Sequence, residues 1–403
     1  MWALIAALFF LQSPDYEAQG LKALDAAKYD QAADLFTKAV AADPKDYAAH
    51  FHLALSYSML KRDAEGVTEY KKVLELKPGL YEAQLNLGIL LLRDKQPADA
   101  LPYLEQAAAQ KPKEFRPHLY SAQALVESGD PAKGEQQFHA ALEIDPKSAA
   151  AELGLAHALE KEDRLADAAP HFRAAAQLDP NYRDALLELA ALYEKNHQND
   201  EAIAIYHQFP ENPGAQEHIG QLLLETKKSA EAVAPLEAAW QKDPTPANRL
   251  ALATAYLFNK QFDKALPLFD QSVAADPANY SLRMMYGRGL RDYKKYEPAA
   301  VQFFQATKLK PDSREAWNEL AGMLYMLEKY PESIGALDHA HQLGDDTPAN
   351  YYFHAITYDK LHAIKPALAY YREFLARSDG KFPDEEWKAR QRAKLLEREV
   401  NKR

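Results

Sequence analysis

Cysteine is absent from all 403 residues, which excludes a disulfide framework, a zinc–thiolate centre, a thiol nucleophile and a lipid-modified N-terminal cysteine. Glycine is scarce, at 15 positions, which argues against a fold built on many tight β-turns. Bases are outnumbered, 48 Lys and Arg against 59 Asp and Glu, for a formal net charge of −11. That balance argues against a nucleic-acid groove, which needs clustered cations to displace phosphate counterions. Long apolar runs are missing as well. The one unbroken stretch, Trp2 to Leu11, spans roughly half a hydrocarbon core at about 1.5 Å per residue, so it is no transmembrane helix.

Residues 1–13 have the length of a signal-peptide apolar region or an anchor. No Lys or Arg precedes Lys22, and Pro14 would follow a cleavage at Ser13. On the form of the segment the expectation is export to the periplasm or cell envelope. The alternative is an apolar tail covering the first helix, in which case the chain stays in the cytoplasm.

What is present is a period. Pro44, Pro78, Pro112, Pro146 and Pro180 are each 34 residues apart, and the marker resumes at Pro244, Pro277 and Pro311. Counting back from these gives eleven windows, beginning at residues 13, 47, 81, 115, 149, 183, 213, 246, 280, 314 and 348. Twelve residues before each marker stands a small residue, such as Ala32, Gly66, Ala100 and Ala265. Four residues later comes a large one, such as Phe36, Tyr70, Leu104 and Phe269. A small–large pair at i, i+4 lies on one helical face and lets a partner helix approach closely. Earlier in each window sits another pair, for example Leu53-Ala54, Leu87-Gly88 and Leu320-Ala321. The apolar spacing is helical throughout. A marker Pro ends the second helix because it disfavours helical backbone in the residue before it. The prolines at Pro97, Pro102, Pro131, Pro170, Pro235 and Pro267 are expected near second-helix starts, where a missing N–H costs little.

The pattern resembles the tetratricopeptide repeat family at these residues. Trp317, Leu320, Ala321 and Leu324 match its first-helix framework; Ala32, Phe36, Ala39 and Pro44 match its second helix and closing Pro. The resemblance covers residues 13 to about 381 and implies an all-α, right-handed superhelical solenoid of antiparallel helix pairs. It divides the chain into an apolar segment (1–13), repeats 1–6 (14–209), repeats 7–11 (210–381) and a C-terminal capping helix (382–403). The sixth repeat is four residues short at His207-Gln208-Phe209-Pro210, so its second helix should be truncated, with Pro213 opening the next. In the last segment Ala389, Ala393, Leu396 and Val400 form the apolar stripe of a cap. Residues 381–403 hold eight bases and five acids, so a basic docking helix is the alternative reading.

No catalytic constellation stands out. The His pairs His50/His52 and His339/His341 are two apart and point to different helical sides. Gly287-Arg288-Gly289 falls mid-helix without a preceding strand, and no nucleophile elbow or Walker lysine occurs. The expectation is therefore no enzyme, no cofactor, no metal, no nucleic acid and no small-molecule substrate.

The resemblance further implies that first helices line a concave groove, with the fifth, ninth and twelfth places of each window facing inward. The partner-binding candidates are Phe51, Leu55, Leu85, Ile89 and Leu119 early in the chain, then Arg288, Arg291, Asn318, Tyr325 and Tyr352. Arg288 and Arg291, one turn apart beside Asn318, could hold a partner carboxylate. The Lys–Asn carboxylate clamp of some family members is absent, because Glu17, Leu21, Phe51 and Leu55 occupy its places. The function expected is a non-enzymatic scaffold binding an extended peptide or protein, in envelope assembly or secretion. The alternative is a regulatory or substrate-recruiting subunit of a separate enzyme acting on polysaccharide or peptide.

Overall fold

A computed structural model describes residues 15–401, so the apolar segment at residues 1–13 lies outside the described residues. Each window folds into a helical hairpin, from Tyr16–Asp25 with Tyr29–Ala42 in repeat 1 to Pro348–Lys360 with Ile364–Arg377 in repeat 11. One last helix, Pro383–Asn401, follows, and no strand occurs among the described residues. We call the two helices of a repeat A and B. Packing divides the chain into two compact halves, one ending at Ala202 and the other beginning at Ile203.

Local chemistry sets the ends of each hairpin. The last residue of a window caps the next A helix: Asp46 accepts from the backbone N–H groups of Ala48 and Ala49, and Ser148, Asn212, Asn279 and Ser313 do the same for helices that follow. Between A and B the fifteenth residue of every window takes a left-handed conformation. It is glycine only at Gly129; elsewhere it is Ala27, Lys61, Lys95, Asp163, His197, Lys227, Lys260, Lys294, Glu328 or His362. Two backbone bonds close each turn, as in Lys61 N–H to Ser58 O (3.1 Å) and Arg62 N–H to Tyr57 O (2.9 Å).

The small–large pairs build the core of both halves. Ala32, Ala100, Ala168, Ala232, Ala265, Ala299 and Ala367 have no exposed surface, and Phe36, Tyr70, Leu104, Phe269 and Phe303 pack four residues later, equally enclosed. Where repeat 10 has Ser333, its hydroxyl donates to the Ala321 carbonyl across the hairpin (2.8 Å), which shows how close the helices come. Position eight is small for the same reason: a Cβ on Gly287 would stand 2.7 Å from the Phe303 ring.

One sequence expectation needs adjustment. Pro97 and Pro131 do open B helices, but Pro102, Pro170, Pro235 and Pro267 lie inside them, each about a turn and a half in. There the missing N–H would have met an intrahelical carbonyl, so these prolines cost more than a helix-start proline does. The B helix of repeat 6 is short, Asn199–Tyr206 against 14 residues in most repeats, and Pro213 opens the next helix. The final helix lays Ala389, Ala393 and Leu396 against Tyr351, Tyr371 and Phe374, covering the apolar end of repeat 11.

Candidate functional site

In the N-terminal half, the A helices of repeats 2 to 4 line a cleft of about 550 Å³. Leu55 and Met59 come from the first of these helices, Ile89 and Leu92 from the second, Tyr120 and Gln123 from the third. Leu55 and Ile89 are half-buried there because they stand two turns into helices whose opposite faces are fixed on the B helices. Phe51, also half-buried, meets Tyr70 edge-on with centroids 5.5 Å apart. Burial pushes the Tyr70 phenol up, although Asn86 donates to its oxygen at 3.2 Å. Leu85 departs from its expected place: at 5% exposure it belongs to the core with Leu87 and Leu104, where the fifth-place side chain meets the neighbouring hairpin. Leu119 lines a further cleft of about 650 Å³ with Val126, Leu153 and His157.

In the C-terminal half, a cleft of about 840 Å³ lies among repeats 8 to 10, walled by Phe258, Phe262, Tyr280 and Met285. Arg288 and Arg291 are at its edge, and they are not available to grip a carboxylate from outside. Glu319 accepts from Arg288 Nε at 3.1 Å and from Arg291 Nη1 at 2.6 Å. Glu315 pairs with Arg288 as well, and Asp292 with Arg291 at 3.0 Å. Desolvation works against both guanidinium charges, and these hydrogen bonds more than offset it, so both pKa values rise. The expected third member, Asn318, donates instead to Asp345 Oδ2 at 2.6 Å. Burial disfavours the Asp345 carboxylate, but hydrogen bonds from Asn318 and Thr347 hold its pKa below the usual range.

Tyr325 and Tyr352 are likewise engaged. Tyr325 meets Tyr330 and Phe353 edge-on at 5.5 and 5.4 Å, and Tyr352 lies 4.9 Å from Phe374. Both keep a half-buried flank.

A set of polar pairs was missed in reading the sequence. The fourth residue of a window meets a B-helix residue 19 further on: His50 Nδ1 with Glu69 at 2.5 Å, His118 Nδ1 with Gln137 at 2.9 Å, Arg283 with Gln302 at 2.9 Å. Repeat 5 reverses the pair, with Glu152 on helix A and His171 on helix B at 2.6 Å. The other end of the same residue reaches the carbonyl of the preceding marker proline: His50 to Pro44 at 3.2 Å, His118 to Pro112 at 3.1 Å, Arg283 to Pro277 at 2.8 Å, Trp317 to Pro311 at 2.9 Å. A framework site thus pins both the hairpin and the turn that enters it. Comparing windows at a separation of 19 would have exposed the exchanged His–Glu pairs.

Among the described residues, no three His, Asp or Glu side chains are placed to hold a metal ion, and no helix is long and apolar enough to cross a membrane. Stacked hairpins with clefts along their A helices define a protein-interaction module. The chain belongs to the tetratricopeptide repeat family: two models of that repeat match residues 17–81, 64–115 and 250–308, and 91–153 and 159–222. Comparison with curated proteins gives no match. Among solved structures the chain is similar to MamA MSR-1 (22% identity, 41% of this chain and 95% of that one, TM-score 0.39). It is also similar to MamA of Desulfovibrio magneticus RS-1 (23%, 41% and 94%, 0.39) and to YrrB, described as a TPR protein with an unusual peptide-binding site (21%, 42% and 88%, 0.40).

Proposed function

We propose that the chain is a non-enzymatic scaffold that holds an extended, largely apolar segment of a protein partner along the A helices of repeats 2 to 5. The supporting observation is the row of half-buried apolar side chains, Phe51, Leu55, Ile89 and Leu119, beside clefts of about 550 and 650 Å³ whose charged lining residues are Arg93 and Arg116 in the first and Glu127, Glu160 and Lys161 in the second. Rigid aromatic and aliphatic anchors of this kind carry most of the energy where proteins meet peptides. The test is selection of displayed random peptides on the full chain, then titration of the best binder. Leu55→Glu and Ile89→Glu should each weaken it at least tenfold, about 1.4 kcal/mol, without changing the unfolding profile. Selected peptides that ignore both substitutions would sink this reading.

A regulatory or recruiting subunit of a separate enzyme would use the same groove, and capture of a catalytic chain with the protein would identify that case. On the form of residues 2–11 we place the protein in the cell envelope, which fractionation of cells carrying the full chain checks.

A further inference from the structure

The helix Pro383–Asn401 has two faces of different character. Inward, Ala389, Ala393 and Leu396 are buried on repeat 11, and the bases nearest that side are paired, Arg392 with Asp359 at 2.7 Å and Arg390 with Glu386 at 2.7 Å. At 100° per residue the opposite side carries Trp387, Gln391, Lys394, Leu395 and Arg398, with Lys388 at its margin. Trp387 is 63% exposed, more than any other large apolar residue described, and Leu395 is 47% exposed. Lys388, Lys394 and Arg398 are exposed and make no ion pair among the described residues. Asp384, in the first turn, is the acid on this side, and Glu399 flanks it.

We propose that this outward face docks on an anionic lipid surface. Trp beside Lys and Arg suits the headgroup boundary, where the indole takes the interface and the long cationic stems reach phosphate. The face is one exposed helix side that lies outside the clefts described above. Charge favours the same occupant. The rest of the chain is acidic while residues 381–403 carry more bases than acids, so attraction to an anionic bilayer is confined to this end.

The experiment is sedimentation of the full chain with phosphatidylcholine vesicles, with and without phosphatidylglycerol, at low and high salt. Residues 2–11 carry no charge, so binding through them is the same on both lipids, and the difference between the two reports the helix. We expect about tenfold stronger partitioning on the anionic vesicles, lost at high salt. Trp387→Ala should weaken it several-fold, and K388E/K394E/R398E should bring it to the phosphatidylcholine level with the circular dichroism unchanged. Equal binding to both lipids overturns the proposal, as does anionic binding that survives the triple reversal. A chain that ignores vesicles yet binds polyglutamate through Trp387 also overturns it, and makes the face a protein-docking one.

Discussion

The clefts of repeats 2–4 and of repeats 8–10 rest on the same framework and differ in what covers it. In the first, groove places hold Leu55 and Ile89, apolar side chains with no internal partner to satisfy. In the second, repeat 9 holds Arg288 at the same ninth place and Arg291 one turn on at the twelfth, and a glutamate two helices on in the chain accepts from both. A charged residue at a groove position is therefore no evidence of an ionic partner until its neighbours on the next helix have been counted. An apolar one has fewer ways to be occupied, and the early cleft is the better candidate surface for that reason.

The largest expected effect tests the shared framework. Phe138→Ala and Phe303→Ala each empty an enclosed site and should cost about 3–5 kcal/mol of local stability, read as hydrogen exchange of the surrounding hairpins. Equal losses in the two halves sharpen the comparison; a much smaller loss in one would break the claim of a common core. Next comes Glu319→Ala, which leaves two partly desolvated guanidinium groups without their shared acceptor. Their remaining exposure limits the loss to about 1–2 kcal/mol, visible as a lowered denaturation midpoint, and Leu55→Ala should show no matching electrostatic change.

Acid should separate the halves further. Burial lowers the pKa of His354, which is fully enclosed and stacked on Tyr370 at 4.5 Å, with its hydrogen bonds to Asn350 and Asp338 opposing the shift only in part. Burial also lowers His52, against Asp46, but that ring is only half-buried. In each case the unfolded state takes up the proton first. The stability is complete above the unfolded value near pH 6.5 and is lost as pH falls through the folded one. Hydrogen exchange between pH 7 and 5 should therefore loosen repeat 11 before repeat 2, and the reverse order would refute this. The smallest effect is at the turns: Lys61→Gly and Lys294→Gly each relieve a left-handed backbone and should add about 0.5–1 kcal/mol, by the same amount in both halves.

The repeat and its hairpins were legible in the sequence because the small–large pairs occupy enclosed sites where size decides the residue. Groove places were harder to read. Leu85 and Ile89 are one turn apart on one helix, yet the first is swallowed by the neighbouring hairpin and the second is not. That distinction depends on helix placement, which periodicity does not encode. The arginine pair failed as a carboxylate site because Glu319 stands at the sixth place on the next A helix, not at an expected groove place. The turns left no sequence signal because two backbone hydrogen bonds hold the left-handed residue whatever its side chain. Scarcity of glycine thus excluded less than it promised.

Those turns leave Lys61 and Lys95 in one half, and Lys227, Lys260 and Lys294 in the other, exposed at the same point of successive hairpins. Neighbouring amines within each half sit one packing step apart, on the order of 10 Å. The molecule accordingly carries its own graduated scale. An amine-reactive cross-linker of matching length would join adjacent rungs of the closed stack, and would report which hairpin parts from its neighbour when a partner is engaged.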